Sequence, residues 1–278
     1  MDNILELAYR ANINVYNYDE KYVIVYDDHR YLLNILHFLR YKNQVKTSLN
    51  VIYFDYHDDA RKPSSAAIEM TKQFRVNLPS QPDFFRFTEF DLCTLDNDWL
   101  LAGMQLSFIN DALLIGAKET SMSSQLNGSY IDHVGDAHAF YSIPHLWDCL
   151  DSKGCLGDSS IDTESEKIRS IFGFNLPGKP GWSNEKPEYP YILDFDCDVF
   201  SMDILGKTTA WPYWRMEELF TKPFAHFNLS SQEFVHNLIE RAEIVTICRE
   251  SGCCGGILQA AQIFNNMDRL FFNSSLSQ

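Results

Sequence analysis

The chain has 278 residues, of which 45% are hydrophobic and 14% aromatic, enough to bury the core of one large globular domain or of two small ones. Its net charge of −15 argues against a nucleic-acid partner, because phosphate binding needs a basic face. No run approaches the roughly 20 apolar residues that span a bilayer, so we expect no membrane association.

The N-terminal sequence MDNILELAYRANINVYNYDEK lacks the basic start and the apolar centre of a secretory signal. The chain has seven cysteines, an odd number, and none of them form a CxxC pair. Together these features predict a cytoplasmic protein with reduced thiols. The sequence leaves the oligomeric state open, a homo-oligomer included.

Apolar segments with strand and helix patterns alternate along the chain. The first, KYVIVYDDH, is rich in Val and Ile, and the segment after it carries apolar residues at helical spacing. This alternation favours an α/β fold with a mainly parallel sheet. The predicted strands are 21–29, 51–54, 111–117, 189–196 and 242–250, and the predicted helices are 30–42, 64–74, 97–109 and 255–272.

The segment 118–188 differs from its surroundings because it is rich in Ser, Gly, Asp and Pro. So long an irregular stretch within a compact domain is usually a functional loop region. We therefore predict a single domain over 1–278 with a loop-rich insert around 118–188. A surface insertion without a function is the alternative.

Three predicted strands end in carboxylate and imidazole side chains, in the sequences YDDH, FDYHDD and LDFDCD. Ligands gather at the carboxyl ends of strands in an open parallel sheet. Side chains two apart on a strand face the same side, so Asp55 and His57 point together, as do Asp194 and Asp196. A buried cluster of carboxylates needs a neutralising partner, and oxygen with imidazole ligands suits Mn²⁺.

Charge balance favours two ions at this cluster. Asp55, Asp59, Asp194 and Asp196 carry −4 together, and two divalent ions carry +4. Asp55 and Asp194 each begin a pair, which makes them natural bridges. A dinuclear site typically activates a water molecule for attack on carbon or phosphorus. The alternative for each strand-end aspartate is a helix cap or a turn residue.

The sequence FDYHDD resembles the DxHxD motif of the arginase, agmatinase and histone deacetylase superfamily. LDFDCD resembles its later DxD motif, and YDDHR resembles its earlier motif with a metal-binding histidine. The resemblance implies an arginase-like three-layer fold with metals at the carboxyl ends of the strands. It also implies two Mn²⁺ ions, one held by His29, Asp55, Asp59 and Asp194, and the other by His57, Asp55, Asp194 and Asp196.

Free arginine is a doubtful substrate, because the segment after Asp59 has no counterpart of the loop that binds the carboxylate and amino group of the free amino acid. The motifs VYDDH, FDYHDD, LDNDWLLAGM, ILDFDCDVF and TICRESG are similar to those of a divergent branch, the peptide arginases. These enzymes convert arginine side chains of a precursor peptide to ornithine and release urea. The resemblance therefore implies an arginine-containing precursor peptide as the partner.

The strand 242–250 ends in Arg249 and Glu250, which face opposite sides. A carboxylate gives a cationic guanidinium a charge-assisted hydrogen bond, whereas an arginine repels it. We therefore predict that Glu250 binds the substrate in the catalytic site. Its alternative is a solvated strand-end charge. His133 or His138 would return a proton to the leaving amine, with ordinary loop histidines as the alternative.

Two rival functions follow from the same residues. A deacetylase-like amidohydrolase of the superfamily holds one zinc ion with two Asp and one His. A non-catalytic binding module would keep its metals for stability alone. Release of urea from an arginine-containing peptide separates the predicted enzyme from both rivals.

Overall fold

The computed structural model describes residues 13–93, 95, 97–116, 128–143, 190–221, 223–224 and 229–276. Within these ranges the strands are β1 (Asn14–Tyr18), β2 (Lys21–Tyr26), β3 (Leu49–Phe54), β4 (Ile109–Ile115), β5 (Ser129–Ile131), β6 (Ala137–Ile143), β7 (Tyr191–Asp196), β8 (Ser201–Ile204), β9 (Lys207–Ala210), β10 (Pro223–Phe224), β11 (Leu229–Ser230) and β12 (Ile244–Cys248). The helices are α1 (Tyr31–Tyr41), α2 (Ser65–Val76), α3 (Gln81–Phe90), α4 (Trp99–Gln105), α5 (Tyr213–Thr221), α6 (Ser231–Arg241) and α7 (Ile257–Phe271).

Eight strands form one mixed sheet in the order β1-β2-β12-β7-β3-β4-β6-β5. The six inner strands are parallel, and the two edge strands β1 and β5 each pair antiparallel with their neighbour. The predicted α/β class with a mainly parallel sheet is therefore confirmed. Because β2, β12, β7 and β3 are adjacent and parallel, their carboxyl ends meet at one edge of the sheet.

Helices cover both faces of the sheet, and each face has its own apolar core. Side chains from α1 to α4 pack with one set of strand residues, such as Val51 and Tyr53 of β3. Side chains from α5 to α7 pack with the alternating set, such as Ile52 and Phe54. The strands are thus buried on both faces, which explains their continuous apolar sequences.

Serine caps start two of the helices on the first face. The hydroxyl of Ser64 accepts the amide N–H of Ala67 at the start of α2, and Ser80 does the same for Asp83 at the start of α3. Each cap satisfies an N–H group that the helix itself leaves unpaired. Helix α3 was not predicted, although Ser80 and Pro82 give it a recognisable start.

Several predicted boundaries change. The helix predicted over 97–109 spans only Trp99–Gln105, because β4 already begins at Ile109. Within the predicted insert, residues 128–143 contribute β5 and β6 to the main sheet, and the rest of 118–188 lies outside the described residues. Among the described helices, none combines the length and apolarity that crossing a membrane requires.

Candidate metal centre

Four adjacent strands deliver acidic and imidazole side chains to one edge of the sheet. His29 follows β2, Asp55 follows β3, Asp198 follows β7 and Glu250 follows β12, each within three residues of the strand end. Asp196 is itself the last residue of β7. The parallel arrangement therefore brings together side chains that are up to 221 residues apart in the sequence.

Backbone amides hold one oxygen of each central carboxylate. Oδ1 of Asp55 accepts the N–H of His57 at 2.7 Å, and Oδ1 of Asp196 accepts the N–H of Asp198 at 2.9 Å. Oδ1 of Asp198 accepts the N–H of Tyr56 at 3.1 Å. In all three aspartates, the remaining oxygen Oδ2 is buried and has no hydrogen-bond partner. The backbone thus presents three bare carboxylate oxygens to the interior of the cluster.

The imidazole of His29 stands among these oxygens and is fully buried. Its Nε2 lies 2.7 Å from Oδ2 of Asp194. Its Nδ1 lies 3.1 Å from Oδ2 of Asp59, 3.2 Å from Oδ2 of Asp196 and 3.9 Å from Oδ2 of Asp55, and has no hydrogen-bond partner. A neutral ring with its proton on Nε2 leaves the Nδ1 lone pair for a metal.

Asp194 lies outside this ring of bare atoms, contrary to its predicted role as a bridging ligand. Its Oδ1 accepts the hydroxyl protons of Tyr26, at 2.7 Å, and of Thr246. Its Oδ2 contacts Nε2 of His29. The reason is sheet register: Asp194 pairs with Tyr53, which puts Asp196 level with Asp55. The structure therefore places Asp198, rather than Asp194, among the candidate ligand atoms of the cluster.

His57 marks a second position at the outer side of the cluster. Its Nδ1 lies 2.8 Å from Oδ2 of Asp198 and 3.9 Å from Oδ1 of Asp55. The side chain of His57 is 40% exposed, whereas that of Asp198 is 2% exposed. The adjacent Asp198 carboxylate raises the pKa of His57 to about 9. We call the surroundings of His29 Nδ1 the inner position and those of His57 Nδ1 the outer position.

The cluster holds more negative charge than its histidines can offset. Burial, followed by the carboxylates of Asp59 and Asp198, raises the pKa of Asp55 well above its ordinary value. Burial and the neighbouring Asp196 raise the pKa of Asp198 to about 6. Burial and the neighbouring negative charges thus both disfavour the ionised carboxylates of Asp55 and Asp198. Protons or cations must therefore balance this site, and divalent cations do so without requiring acidic conditions.

Glu250 stands beside the same carboxylates, as predicted for a substrate-binding residue. Its carboxylate lies within 4.8 Å of ligand atoms of Asp196 and also within 4.8 Å of one of Asp198. Burial and the nearby Asp196 raise the pKa of Glu250. The preceding Arg249 turns away to contact Oδ1 of Asp27, at 2.8 Å from its Nε. Of Arg249 and Glu250, only Glu250 therefore belongs to the cluster.

His133, the predicted proton donor, lies elsewhere. It sits in the turn between β5 and β6, and its ring and its backbone N–H both contact Oε1 of Gln105. Because β6 runs parallel to β4, its first residue lies at the amino-terminal edge of the sheet, opposite the cluster. The nearby His138 contacts the carbonyl of Asn110. The structure does not bring either histidine to the candidate metal centre.

Three further residues at the site were not predicted as functional. Asp198 continues the alternation of Asp194 and Asp196. The sequence therefore offered three equivalent aspartates for the two metal ligands expected from this strand. Cys248 ends β12 next to His29 and Asp196, and Cys253 lies within 4.8 Å of Asp198 and Glu250. The two cysteines gave no sequence signal, because their other neighbours in the cluster, His29, Asp196 and Asp198, are distant in the chain.

Comparisons with known proteins identify no relatives: no protein-family model matches the chain, and a search of curated proteins finds no match. The assignment of a function therefore depends on the chemistry of the site. Four buried atoms there, on His29, Asp55, Asp196 and Asp198, have no hydrogen-bond partner among the described residues. Such donors fit divalent ions, and their oxygen and imidazole character suits Mn²⁺.

Proposed function

We propose that the chain is a manganese-dependent hydrolase of guanidino groups with an arginase-like fold. Its substrate would be an arginine side chain of a precursor peptide, which it would convert to ornithine with release of urea. The observation that carries the proposal is the convergence of four bare, buried ligand atoms at the end of the sheet. Glu250, the one glutamate of the cluster, stands beside them as a partner for a cation.

Two overlapping ligand sets would extend two trios, His29/Asp55/Asp59 and Asp55/His57/Asp198, whose ligand atoms lie within 4.8 Å of one another. In the inner position, Nδ1 of His29 would act with one oxygen each of Asp55, Asp59 and Asp196. In the outer position, Nδ1 of His57 would act with Asp55, Asp196 and Asp198. Asp55 and Asp196 bridge the two sets, and the four aspartates carry −4 against +4 for two divalent ions. A guanidinium of charge +1 would then be balanced by Glu250.

Bound in these positions, the two ions supply Lewis acidity and a water molecule of lowered pKa. The carboxylate of Glu250 binds the guanidinium through charge-assisted hydrogen bonds and so holds its central carbon beside the cluster. Addition of water to that carbon and cleavage of its bond to the side-chain nitrogen yield urea and the ornithine amine. Both protons of the attacking water end on the side-chain nitrogen, which leaves as the ornithine ammonium group.

The choice of a peptide over free arginine rests on the sequence. The segment after Asp59 has no counterpart of the loop that would bind the carboxylate and amino group of a free amino acid. The chain continues from Asp59 through residues 60–64 directly into α2. An arginine within a peptide has no free α-carboxylate or α-amino group, so the missing loop would not weaken its binding.

The decisive experiment combines metal analysis with a urea assay. Protein reconstituted with Mn²⁺ is analysed by elemental mass spectrometry and incubated with an arginine peptide whose termini are blocked, and separately with free arginine. We expect about two ions per chain and much faster urea release from the peptide. A single tightly bound zinc with loss of acetyl groups would support the deacetylase, and two ions without any turnover would support a binding module.

A further inference from the structure

Trp99 contacts two ligands of the inner position at once. Its Nε1 donates a hydrogen bond to Oδ2 of Asp59 at 2.6 Å. Its ring stacks on the imidazole of His29, with a distance of 4.7 Å between ring centroids and 26° between the planes. Trp99 is fully buried, and the ring of Tyr53 packs against it edge-on at 5.6 Å. The position of the Trp99 side chain is therefore fixed by its own packing, independently of its contacts with the two ligands.

Asp59 needs such an anchor more than the other aspartates do. Asp55, Asp196 and Asp198 each have one oxygen held by a backbone amide. The described hydrogen bond to the Asp59 carboxylate comes instead from the indole of Trp99. The backbone of Asp59 also has a φ of +43°, which places it at a sharp turn of the chain. The indole N–H thus orients the Asp59 carboxylate through Oδ2, the oxygen that lies 3.1 Å from Nδ1 of His29, whereas the backbone orients the other three through Oδ1.

We propose that Trp99 is a positioning residue for the inner metal position, orienting Asp59 through its N–H and His29 through its ring. The inference rests on the proposed dinuclear site. Of the two ligands that belong only to the outer position, Asp198 accepts the amide N–H of Tyr56 through Oδ1, and Nδ1 of His57 lies 2.8 Å from Oδ2 of Asp198. Loss of the Trp99 N–H should therefore weaken the inner ion and leave the outer ion in place.

The test is Trp99→Phe, which keeps an aromatic ring against His29 but removes the N–H donor. Trp211→Phe is the matched control, because Nε1 of Trp211 donates to the carbonyl of Ser201 at 2.9 Å and its ring packs edge-on against Phe200. Both variants thus lose one indole hydrogen bond. Mn²⁺ binding is measured by equilibrium dialysis with elemental analysis over a range of free Mn²⁺ concentrations.

We expect Trp99→Phe to bind one ion with the wild-type affinity and the other about 10- to 100-fold more weakly, the usual effect of removing a residue that orients a ligand. Trp211→Phe should keep both affinities. The gain in Tm on adding Mn²⁺ should shrink only in Trp99→Phe, because the stabilisation from a bound ion increases with the logarithm of its free concentration divided by its Kd. A purely structural role would lower Tm equally with and without Mn²⁺.

Wild-type affinity at both positions in Trp99→Phe would overturn the positioning role, and so would an equal loss at both. If Trp99→Phe fails to fold, Trp99→Met, which also lacks a hydrogen-bond donor, is measured with the same two readouts. If that variant fails as well, quenching of tryptophan emission by Mn²⁺ is measured in Trp211→Phe, which keeps Trp99. The absence of quenching would mean that Mn²⁺ does not bind near Trp99, which overturns the proposal. Wild-type protein that binds no divalent ion would refute the dinuclear site itself, a different outcome from a change confined to the variants.

Discussion

Nε2 of His29 lies 2.7 Å from Oδ2 of Asp194, and this contact leaves Nδ1 as the ring nitrogen that faces the cluster. Asp194 in turn accepts hydrogen bonds from the hydroxyls of Tyr26 and Thr246. A carboxylate held this way fixes the orientation and the tautomer of the histidine. Asp194 therefore supports the candidate ligand His29, whereas Asp198, four residues later, presents an oxygen without a hydrogen-bond partner.

Asp194→Asn and Asp198→Asn should consequently fail in different ways. We expect Asp198→Asn to retain about one ion per chain at moderate Mn²⁺, because the outer position loses a ligand. Asp194→Asn should still bind two ions at saturation, with the inner affinity reduced about 10- to 100-fold. Elemental analysis after dialysis distinguishes these results. The exposed Asp203 offers Asp203→Asn as a control that should change neither value.

The opposite pattern would restore the ligand set that the motifs alone implied. In that case Asp194→Asn would lose an ion outright, and Asp198→Asn would keep both at wild-type affinity.

Glu250→Gln should impair turnover without removing metal. The change keeps the shape of the side chain but removes the charge that a guanidinium would meet. Charge-assisted hydrogen bonds contribute roughly 1.5–3 kcal/mol, which corresponds to about a 10- to 150-fold loss in kcat/KM. Urea release from the blocked peptide measures the effect, and Mn²⁺ content should stay at the wild-type level.

Glu243→Gln makes the same chemical change at an exposed residue immediately before β12 and should leave both quantities unaltered. Full urea release by a Glu250→Gln protein with normal metal content would mean that another group binds the guanidinium. Asp132 and Asp136 are poor candidates for that group. Both lie in the turn between β5 and β6, where they pair with Arg75 of α2.

Strand positions could be predicted because buried parallel strands are continuous apolar runs. The sequences VIVY, VIYF and YIL all belong to the central sheet, and each run ends where the acidic residues begin. The meeting of His29 with Asp55 and Asp59 followed from that pattern. The choice among Asp194, Asp196 and Asp198 did not, because alternation treats them alike. Only the pairing of Asp194 with Tyr53 decides the level at which each lies.

His133 illustrates a different limit of sequence reasoning. Its neighbours DHVGDAH contain the residue types of a proton shuttle, yet the segment forms the turn of an edge hairpin. The direction of β6 relative to β4 puts that turn at the edge of the sheet away from the cluster. Strand direction is a property of the whole topology, and a local sequence pattern does not encode it.

His37 should make the protein less stable in mild acid. Its ring is 1% exposed and stacks on Phe84 at 4.3 Å, and its Nε2 donates to the carbonyl of Pro79. Burial lowers the pKa of His37 from 6.5 to about 4. Between these values the unfolded chain binds a proton that the folded chain does not, so the free energy of unfolding falls as pH drops from 6.5 to 4. The total is about 3 kcal/mol.

A His37→Gln variant keeps a neutral N–H donor and removes this titration. Chemical unfolding at several pH values should therefore show the wild type losing its advantage over His37→Gln as pH falls below 6.5. His236→Gln, at a half-buried position on α6, is the comparison for a histidine substitution elsewhere. A difference between wild type and His37→Gln that stays constant from pH 7.5 to 4 would disprove the assigned pKa.

Gly255 belongs to the turn that joins Glu250 to α7. Its φ is +88°, and a Cβ built there would lie 2.1 Å from the carbonyl oxygen of Thr208 on β9. The amides of Cys253 and Cys254 meanwhile bond to the carbonyl of Glu250. The turn is therefore confined between β9 and Glu250, and a side chain at Gly255 has to move one of them.

Gly255→Ala should consequently lower both stability and activity. Gly206→Ala is the matched control, because Gly206 has a φ of +76° but no atom within 4 Å of its Cβ position. The control bears only the backbone cost of about 1–2 kcal/mol, a fall in Tm of roughly 2–8 °C. Gly255→Ala adds the contact with Thr208, so its Tm should fall further than that of Gly206→Ala.

Urea release by Gly255→Ala should also drop, since displacement of the turn moves Glu250 away from the cluster. Equal Tm values for the two variants, with undiminished urea release by Gly255→Ala, would show that the turn relaxes without disturbing Glu250.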